Sequence, residues 1–300
     1  YGFEYMVPDE IAKGYRKINT PDFKKEHKRL LWLRQCLYYA DRLYGGVPVD
    51  VFMRLIKRNR AVKIEKGELS ELIEAIPALQ RPCILQDGEI ISVGAMENDI
   101  YKHIKRVQGD KGFYIPAERE IRELFDYKYP QSDPAIYRSV RRFCRCLKTD
   151  EQRAREIIKW IWRDISIGAD VMDLIQQVLD EEDLEFSNED GFKDYVQTLM
   201  ELNNETRMLF NRGYKPVEIA GKEFEKMRRT GKLPTIVPGS SHAAEMLKQA
   251  QPEINKMGFS LDIDGNAVDM ETAILSADRK VVSRQTKKVY PKSLAIIIPI

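Results

Sequence analysis

The chain has 300 residues, of which 43% are apolar and 32% are charged. This length predicts about two domains, and the chain lacks any apolar run of the roughly 18 residues that a membrane-spanning helix needs. Its four cysteines, Cys36, Cys83, Cys144 and Cys146, are too few and too scattered for the disulfide framework of a small secreted domain. We therefore expect a cytoplasmic protein without a membrane partner.

The net charge of +2 conceals a strong segregation of charge along the chain. Residues 11–66 hold 15 Lys or Arg against five Asp or Glu, a local charge of +10. Residues 169–205 hold one Lys against 12 acids, a local charge of −11. An uneven charge distribution of this kind indicates the type of binding partner and not the fold. The basic segment at residues 11–66 favours a polyanionic partner.

The elements predicted between Phe23 and Val93 follow the order of a winged-helix domain. Helical spacing of apolar residues predicts helices over 23–44, 48–60 and 68–76, the first two of them basic. Two short apolar runs, 83–85 and 90–93, flank Asp87-Gly88, which is the composition of a tight hairpin turn. This hairpin would form the wing. We place the winged-helix-like domain at residues 1–130, with an N-terminal arm.

The remainder of the chain is predicted to be helical almost throughout. Apolar spacing predicts further helices at 97–107, 117–125, 134–147, 151–165, 170–181, 188–210 and 216–229. A linker at 231–240, a helix at 241–257 and a small hairpin from Phe259 follow. The predicted fold is therefore mainly α, with a multi-helix domain at 131–230 and a third segment at 231–300 that ends in the hairpin.

Basic residues on the first two helices are the candidates for contact with phosphate groups. The first helix also carries Lys24, Lys25, Lys28 and Arg42 on its polar side. We predict nucleic-acid backbone contacts by Arg29, Arg34, Arg54, Lys57, Arg58 and Arg60. The third helix carries Glu68, Glu71 and Glu74 and would repel phosphates, which argues against base reading by that helix. A solvated face neutralised by the acidic segments is the structural alternative.

No motif with a catalytic or metal-binding spacing occurs in the sequence. Cys144 and Cys146 lie two apart on a predicted helix and point to different faces, which disfavours a shared metal. Asp262 and Asp264 match the start of a calcium loop, but its sixth position is Ala267 instead of Gly. Phosphate-binding loops and nucleophile elbows are also missing. We expect no enzymatic activity, no cofactor and no metal site.

One segment, LNNETRMLFNRGYKPVE at 202–218, stands apart from the rest. Together with the turn at 43–50 and Tyr114-Ile115-Pro116, it resembles the body of uncharacterised bacterial proteins that carry a SEC-C zinc-knuckle tail. In this chain Glu205 is inserted into the motif, and Lys215 and Val217 replace the family's Thr and Asn. The family's tail cysteines and histidine have no counterpart after residue 288, so the resemblance implies no zinc site here.

The same segment also has a structural interpretation. Asn203, Asn204, Arg207 and Arg212 would bind backbone carbonyl groups at a helix end, together with Asn211. Gly213 permits a left-handed turn, and Pro216 starts the next helix. The alternative is a ligand site in the same segment.

The function that these patterns favour is a non-enzymatic binding or regulatory protein that contacts nucleic-acid backbone. The alternative is an adaptor or inhibitor that binds other proteins, from a bacterial mobile-element or defence context.

Overall fold

The computed structural model describes residues 7–182, 185, 186, 188, 190–230, 249, 259–261, 267–269, 273–275 and 281–283. The chain divides into two compact units, residues 1–217 and 218–300. The described part is mainly helical and contains a small antiparallel sheet, which confirms the predicted mainly α class with a hairpin.

The helices of the first unit are α1 Asp9–Ile18, α2 Pro21–Leu43, α3 Val49–Ile56, α4 Leu69–Glu74, α5 Val93–Glu97, α6 Tyr101–Gln108, α7 Glu118–Tyr127, α8 Pro134–Cys146, α9 Glu151–Ser166, α10 Val171–Glu182 and α11 Gly191–Glu205. Short 3-10 turns lie at Lys66–Glu68, Ala78–Gln80 and Leu209–Asn211. Several helices are shorter than predicted. The predicted helix at 97–107 corresponds to α6, which starts later, at Tyr101; Glu97 belongs to α5, and Asp99 between the two helices has a left-handed φ of 53°.

A three-stranded sheet lies among the first helices, with strands β1 Gly46–Pro48, β2 Cys83–Gln86 and β3 Glu89–Ser92 in the order β1-β3-β2. The predicted hairpin is confirmed: Gln86 pairs with Glu89 across the turn at Asp87 and Gly88. Both turn residues have positive φ, 51° and 77°, which is why Asp-Gly suits this turn. The strand β1 was not predicted, since three residues are too few to show a strand pattern.

The helix α2 lies at the centre of the first unit. Its N-terminus is capped by Thr20, whose Oγ1 accepts a hydrogen bond from Phe23 N at 3.2 Å. Pro21 occupies the first helical position, where a missing N–H costs nothing. From Trp32 onward the helix is largely buried, and α3, α7 and the sheet pack against it.

The helix α3 ends earlier than predicted for a local reason. It stops at Ile56, whereas apolar spacing extended the prediction to Arg60. Beyond it, Asn59 is buried and its Oδ1 accepts a hydrogen bond from Ala61 N at 3.0 Å. This side-chain bond replaces a helical one and turns the chain away from the helix axis.

A continuous hydrophobic core runs from Trp32 in α2 to Leu202 in α11. It crosses residue 130, where we predict a domain boundary, and joins the ranges 1–130 and 131–217 in one compact unit. The helices α8, α9 and α11 supply its second half.

The second unit includes most of α12, Pro216–Thr230, and four short strands. The strand β4 Phe259–Leu261 pairs with β5 Ala267–Asp269, and β6 Ala273–Leu275 pairs with β7 Val281–Ser283, both antiparallel. A hairpin starting at Phe259 is thus confirmed. The predicted linker at 231–240 and, apart from Gln249, the predicted helix at 241–257 lie outside the described residues.

Candidate functional site

A groove with a volume of about 1120 Å³ follows one face of α2. We call it the basic groove. Its lining residues are Pro21, Lys24, Lys25, Lys28, Arg29, Leu31, Trp32 and Gln35 from α2, Asn59, Ala61, Val62 and Lys63 from the loop after α3, and Glu118 and Arg122 from α7. Lys24, Lys28, Trp32 and Gln35 recur at spacings of three or four residues, which places them on one side of a helix.

The lining is strongly basic, with six Lys or Arg side chains and a single carboxylate, Glu118. Within the described part of the chain, Lys24, Lys25, Lys28 and Lys63 take part in no ion pair, and all four are exposed. The other two cations of the lining, Arg29 and Arg122, form ion pairs within the protein. Arg29 pairs with Glu26 at 2.8 Å and also with Glu68. The four lysines are therefore the charges available to a ligand.

The inner end of the groove is formed by aromatic and polar groups. Trp32 is buried and donates from Nε1 to Ile56 O at 2.9 Å. The Arg122 guanidinium lies 5.3 Å from the centre of the Trp32 ring and pairs with Glu118 at 2.7 Å. Gln35 is 3% exposed, and its Oε1 has no hydrogen-bond partner among the described residues. An unsatisfied buried acceptor is costly, so a donor at this end of the groove would stabilise it.

Two of the predicted phosphate-binding residues lie on α2, and the structure separates them. Arg29 lines the groove, but its Nε donates to Lys63 O at 3.1 Å and its guanidinium holds Glu68. The backbone N–H of Glu65 and then Arg29 keep the pKa of the Glu68 carboxyl below its ordinary value. Arg34 lies on another side of α2, with its guanidinium 5.6 Å from the centre of the Phe125 ring.

The other four predicted residues lie outside the described groove lining. Arg54 and Lys57 are exposed on and just after α3. Arg58 donates from Nη2 to Ile115 O at 3.1 Å and so ties the loop to the segment before α7. Arg60 is exposed between Asn59 and Ala61, which both line the groove. These four remain predictions as phosphate contacts.

Most cations of the groove lining were not among the six predicted phosphate-binding residues. Helical spacing did place Lys24, Lys25 and Lys28 on the polar side of the first helix, and in the structure they line the groove together with Arg29. Lys63 and Arg122 join it only through tertiary packing. The predicted wing lies elsewhere. Its turn residue Gly88 accepts a hydrogen bond at O from Val49 N, at the N-terminal end of α3. The groove includes residues beyond the C-terminal end of α3, and the two ends are about 12 Å apart along the helix axis.

A second concavity, with a volume of about 280 Å³, lies on the other side of the α2–α7 pair. We call it the acidic cavity. Its lining residues are Tyr39, Leu43, Arg119, Glu120, Glu123, Leu124, Pro130, Ser132, Asp133, Pro134, Trp162, Glu205 and Arg207. Two of them, Glu205 and Arg207, belong to the segment 202–218 that the sequence singles out.

Arg207 forms a network at the wall of the acidic cavity. It donates from Nε to Glu120 Oε2 at 3.0 Å and from Nη1 to Gly213 O at 3.1 Å. Its guanidinium lies 3.4 Å from the centre of the Tyr114 ring. Tyr114 in turn donates to Glu120 Oε1 at 2.8 Å. The network fixes the direction of Glu120 and holds the chain after α11 against α7.

Arg212 has a different environment and a structural role. Its Nη2 donates to Gly109 O at 2.8 Å, and its Nη1 donates to Lys111 O. Burial lowers the pKa of its guanidinium. The residue adopts a φ of 50°, and Gly213 follows with a φ of 78°. A Cβ at Gly213 would lie 3.1 Å from the Tyr44 ring, so glycine is favoured there by both conformation and space.

The other predicted residues of this segment lie around the same turn. The helix α11 ends at Glu205 instead of continuing to Phe210, and Thr206 Oγ1 donates to Leu202 O at 2.7 Å. Asn203 and Asn204 lie in its last turn, with Asn204 exposed. Asn211 Nδ2 contacts Met208 Sδ at 3.6 Å, and Pro216 is the first residue of α12.

Two further observations concern metals and membranes. Among the described residues, no three His, Cys, Asp or Glu side chains are grouped so that they could hold a metal ion. None of the described helices combines the length and the apolar character needed to cross a bilayer.

Comparison of the chain with protein-family models, curated proteins and solved structures found no match. The resemblance to SEC-C motif-containing proteins therefore depends on the residues quoted for it and stays a prediction.

Proposed function

We propose that this protein is a non-enzymatic binding protein that holds the phosphate backbone of nucleic acid in the basic groove. The observation that carries the proposal is the set of four exposed lysines, Lys24, Lys25, Lys28 and Lys63, that have no ion pair within the described residues. Lysine ammonium groups neutralise phosphates as point charges and release bound counterions, which supplies most of the sequence-independent affinity for nucleic acids.

The topology around the groove supports a winged-helix interpretation. The elements α2, β1, α3, α4, β2 and β3 follow one another as helix, strand, helix, helix, strand, strand, with strand order β1-β3-β2. In that arrangement α4 would be the helix that reads bases. It has six residues and exposes Glu71 and Glu74, so its charge opposes entry into a groove of DNA. Binding through α2 is independent of base sequence.

Fluorescence anisotropy with a labelled 20-mer, as duplex and as single strand, tests the proposal. The variant Lys24→Gln/Lys25→Gln/Lys28→Gln removes three charges from the groove. We expect it to bind about tenfold more weakly or worse at about 100 mM salt, because each lost phosphate contact removes counterion release. The matched control Lys102→Gln/Lys159→Gln/Lys193→Gln removes the same charge at exposed positions outside the groove lining.

Two results would overturn the proposal. The first is no binding of either 20-mer by the unmodified chain at about 50 mM salt. The second is equal weakening by the groove variant and its control, which would show a dependence on net charge alone. A protein partner that stays bound to the chain after nuclease treatment of a cell extract would instead favour the adaptor hypothesis.

A further inference from the structure

The acidic cavity has the lining of a site for a small ligand. Its volume of about 280 Å³ lies just below the range of about 300–1,000 Å³ that is typical of pockets for drug-sized ligands. Its apolar wall consists of Leu43, Leu124, Pro130, Pro134 and the buried ring of Trp162. A ligand of this cavity would be small and partly apolar.

The polar wall holds four carboxylates, Glu120, Glu123, Asp133 and Glu205. Two of their positive partners lie close by, since Arg207 pairs with Glu120 and Lys215 pairs with Asp133 at 3.0 Å. The other two partners are more exposed to solvent. Arg119, which also lines the cavity, is 75% exposed and pairs with Glu123, which is 13% exposed. Arg138, 47% exposed, pairs with Glu205, which is 35% exposed.

The difference in exposure is largest for the pair of Arg119 and Glu123, and it favours a negative potential next to Glu123. Water screens the exposed Arg119 guanidinium more strongly than the Glu123 carboxylate, which is 13% exposed. The carboxylates also retain acceptor capacity: Glu205 accepts at Oε1 from Arg138, and Glu123 accepts one bond at each oxygen, from Arg119 and Ser132. The cavity therefore favours a ligand that is positively charged and donates hydrogen bonds.

A second observation indicates an unfilled polar position. Tyr39 lines the cavity and is 1% exposed, and within the described part of the chain its hydroxyl has no hydrogen-bond partner. Most buried hydroxyl groups are hydrogen-bonded, because an unsatisfied one costs about 1–3 kcal/mol. A bound polar ligand would supply the missing partner.

We propose that the acidic cavity binds a small organic ammonium compound, with its charged nitrogen near Glu123 and its apolar part against Trp162. The carboxylates select for positive charge, and the apolar wall selects against fully hydrated inorganic cations. This proposal does not depend on the basic groove or on the function proposed for it.

Isothermal titration with three matched probes tests the proposal. The probes are 2-phenylethylamine, the neutral 2-phenylethanol and the anionic 3-phenylpropionate. We expect the amine to bind at least about tenfold more tightly than the other two, which corresponds to about 1.4 kcal/mol. If the three probes bind equally, or if the amine gives no binding heat at millimolar concentration, the proposal is wrong.

Two variants test whether the amine binds in the acidic cavity. Glu123→Gln removes the most enclosed of the four carboxylates and leaves the network of Arg207 and Glu120 in place, so we expect about tenfold weaker binding of the amine. The control Glu71→Gln changes an exposed carboxylate on α4 and should leave the affinity unchanged. Circular dichroism verifies that both variants fold. Unchanged amine binding by the folded Glu123→Gln variant would overturn the assignment.

Discussion

The basic groove and the acidic cavity are built on the same two helices and differ in how their charges are compensated. Residues of α2 between Pro21 and Gln35 line the groove, and Tyr39 and Leu43 near its C-terminal end line the cavity. On α7, Glu118 and Arg122 face the groove, whereas Glu120 and Glu123 face the cavity. Residues three or four apart on a helix share a face, as Glu118 and Arg122 do and as Glu120 and Glu123 do. Residues two apart, such as Glu118 and Glu120, lie on different faces.

The two concavities differ in the pairing of their charges as well as in the sign of those charges. Each carboxylate of the cavity has a basic partner among the described residues, and the network of Glu120 and Arg207 holds the segment after α11 in place. Four lysines of the groove have no such partner in the described ranges. Changes in the cavity wall should therefore affect stability first, and changes in the groove should affect binding first.

The largest expected effect on stability is that of Arg207→Ala in the cavity wall. The Arg207 side chain is 16% exposed, and its loss would leave Glu120 without its charged partner. We expect a decrease of about 2 kcal/mol in the free energy of unfolding, measured in urea, because the largely buried Arg207 side chain loses its ion pair, its hydrogen bond to Gly213 O and its contact with the Tyr114 ring. Arg119→Ala removes a partner that is 75% exposed, and Glu123 keeps its hydrogen bond from Ser132, so this variant should cost at most about 1 kcal/mol. Equal losses for the two variants would contradict the distinction.

The salt dependence of nucleic-acid binding tests whether the groove lysines contact phosphates. Four lysines without an ion pair among the described residues predict a slope of about −3 to −4 for log K against log salt concentration, or roughly a hundredfold loss of affinity between about 50 and 200 mM salt. Lys63→Gln should make the slope shallower by about 1. Lys57→Gln changes an exposed lysine outside the groove lining and should leave the slope unchanged. A shallower slope for Lys57→Gln with an unchanged slope for Lys63→Gln would indicate that the interface lies at the end of α3 instead of in the groove.

Tyr39→Phe tests whether the hydroxyl at the cavity is unsatisfied in the ligand-free chain. We expect a gain of about 1 kcal/mol in the free energy of unfolding, because the substitution removes a buried hydroxyl group that has no hydrogen-bond partner among the described residues. Tyr195→Phe is the matched control. Tyr195 is equally buried but donates to Ile175 O at 3.0 Å, so its substitution should cost about 1 kcal/mol. A loss of stability in both variants would show that Tyr39 has a bonding partner.

The smallest expected effect concerns Asp41, whose partly buried carboxyl lies on a third side of α2. Burial raises the pKa of Asp41, although Ser92 Oγ donates to Asp41 Oδ1 at 2.6 Å. The folded chain thus holds this proton more tightly than the unfolded chain. The resulting stabilisation is complete below the ordinary pKa of about 4 and is lost as the pH rises through the raised value.

The variant Asp41→Asn keeps an acceptor for Ser92 and removes the titration. The difference in melting temperature, variant minus original chain, should therefore increase from about pH 4 to about pH 7, by no more than a few degrees. Thermal unfolding at several pH values measures this difference. A constant difference across that range would contradict the raised pKa.

Local sequence patterns predicted the elements whose structure depends on near neighbours. Asp87-Gly88 predicted the hairpin because that turn requires positive φ at both residues, and apolar spacing predicted α2 because its buried residues recur with the helical period. The bounds of α3 were wrong at the C-terminal end, since spacing alone does not register the side-chain bond of Asn59 that ends the helix.

The candidate sites were less predictable, because their residues are distant in sequence. Arg29 was selected for its charge, but its pairing with Glu68, 39 residues away, follows from packing of the loop after α3 against α2. Arg207 was identified as one of several arginines of a motif. Its contact with Glu120, 87 residues earlier, distinguishes it from Arg212, which binds backbone carbonyls.

The sequence by itself determined the mainly helical class, the hairpin and the concentration of positive charge in residues 11–66, because these depend on composition and on short-range periodicity. The tertiary structure decided which of those charges are compensated. Ion pairs form between side chains that folding brings within about 4 Å. Within the part of the chain that the structure describes, four lysines without an ion pair line the groove on one side of α2 and α7, and four paired carboxylates line the cavity on the other.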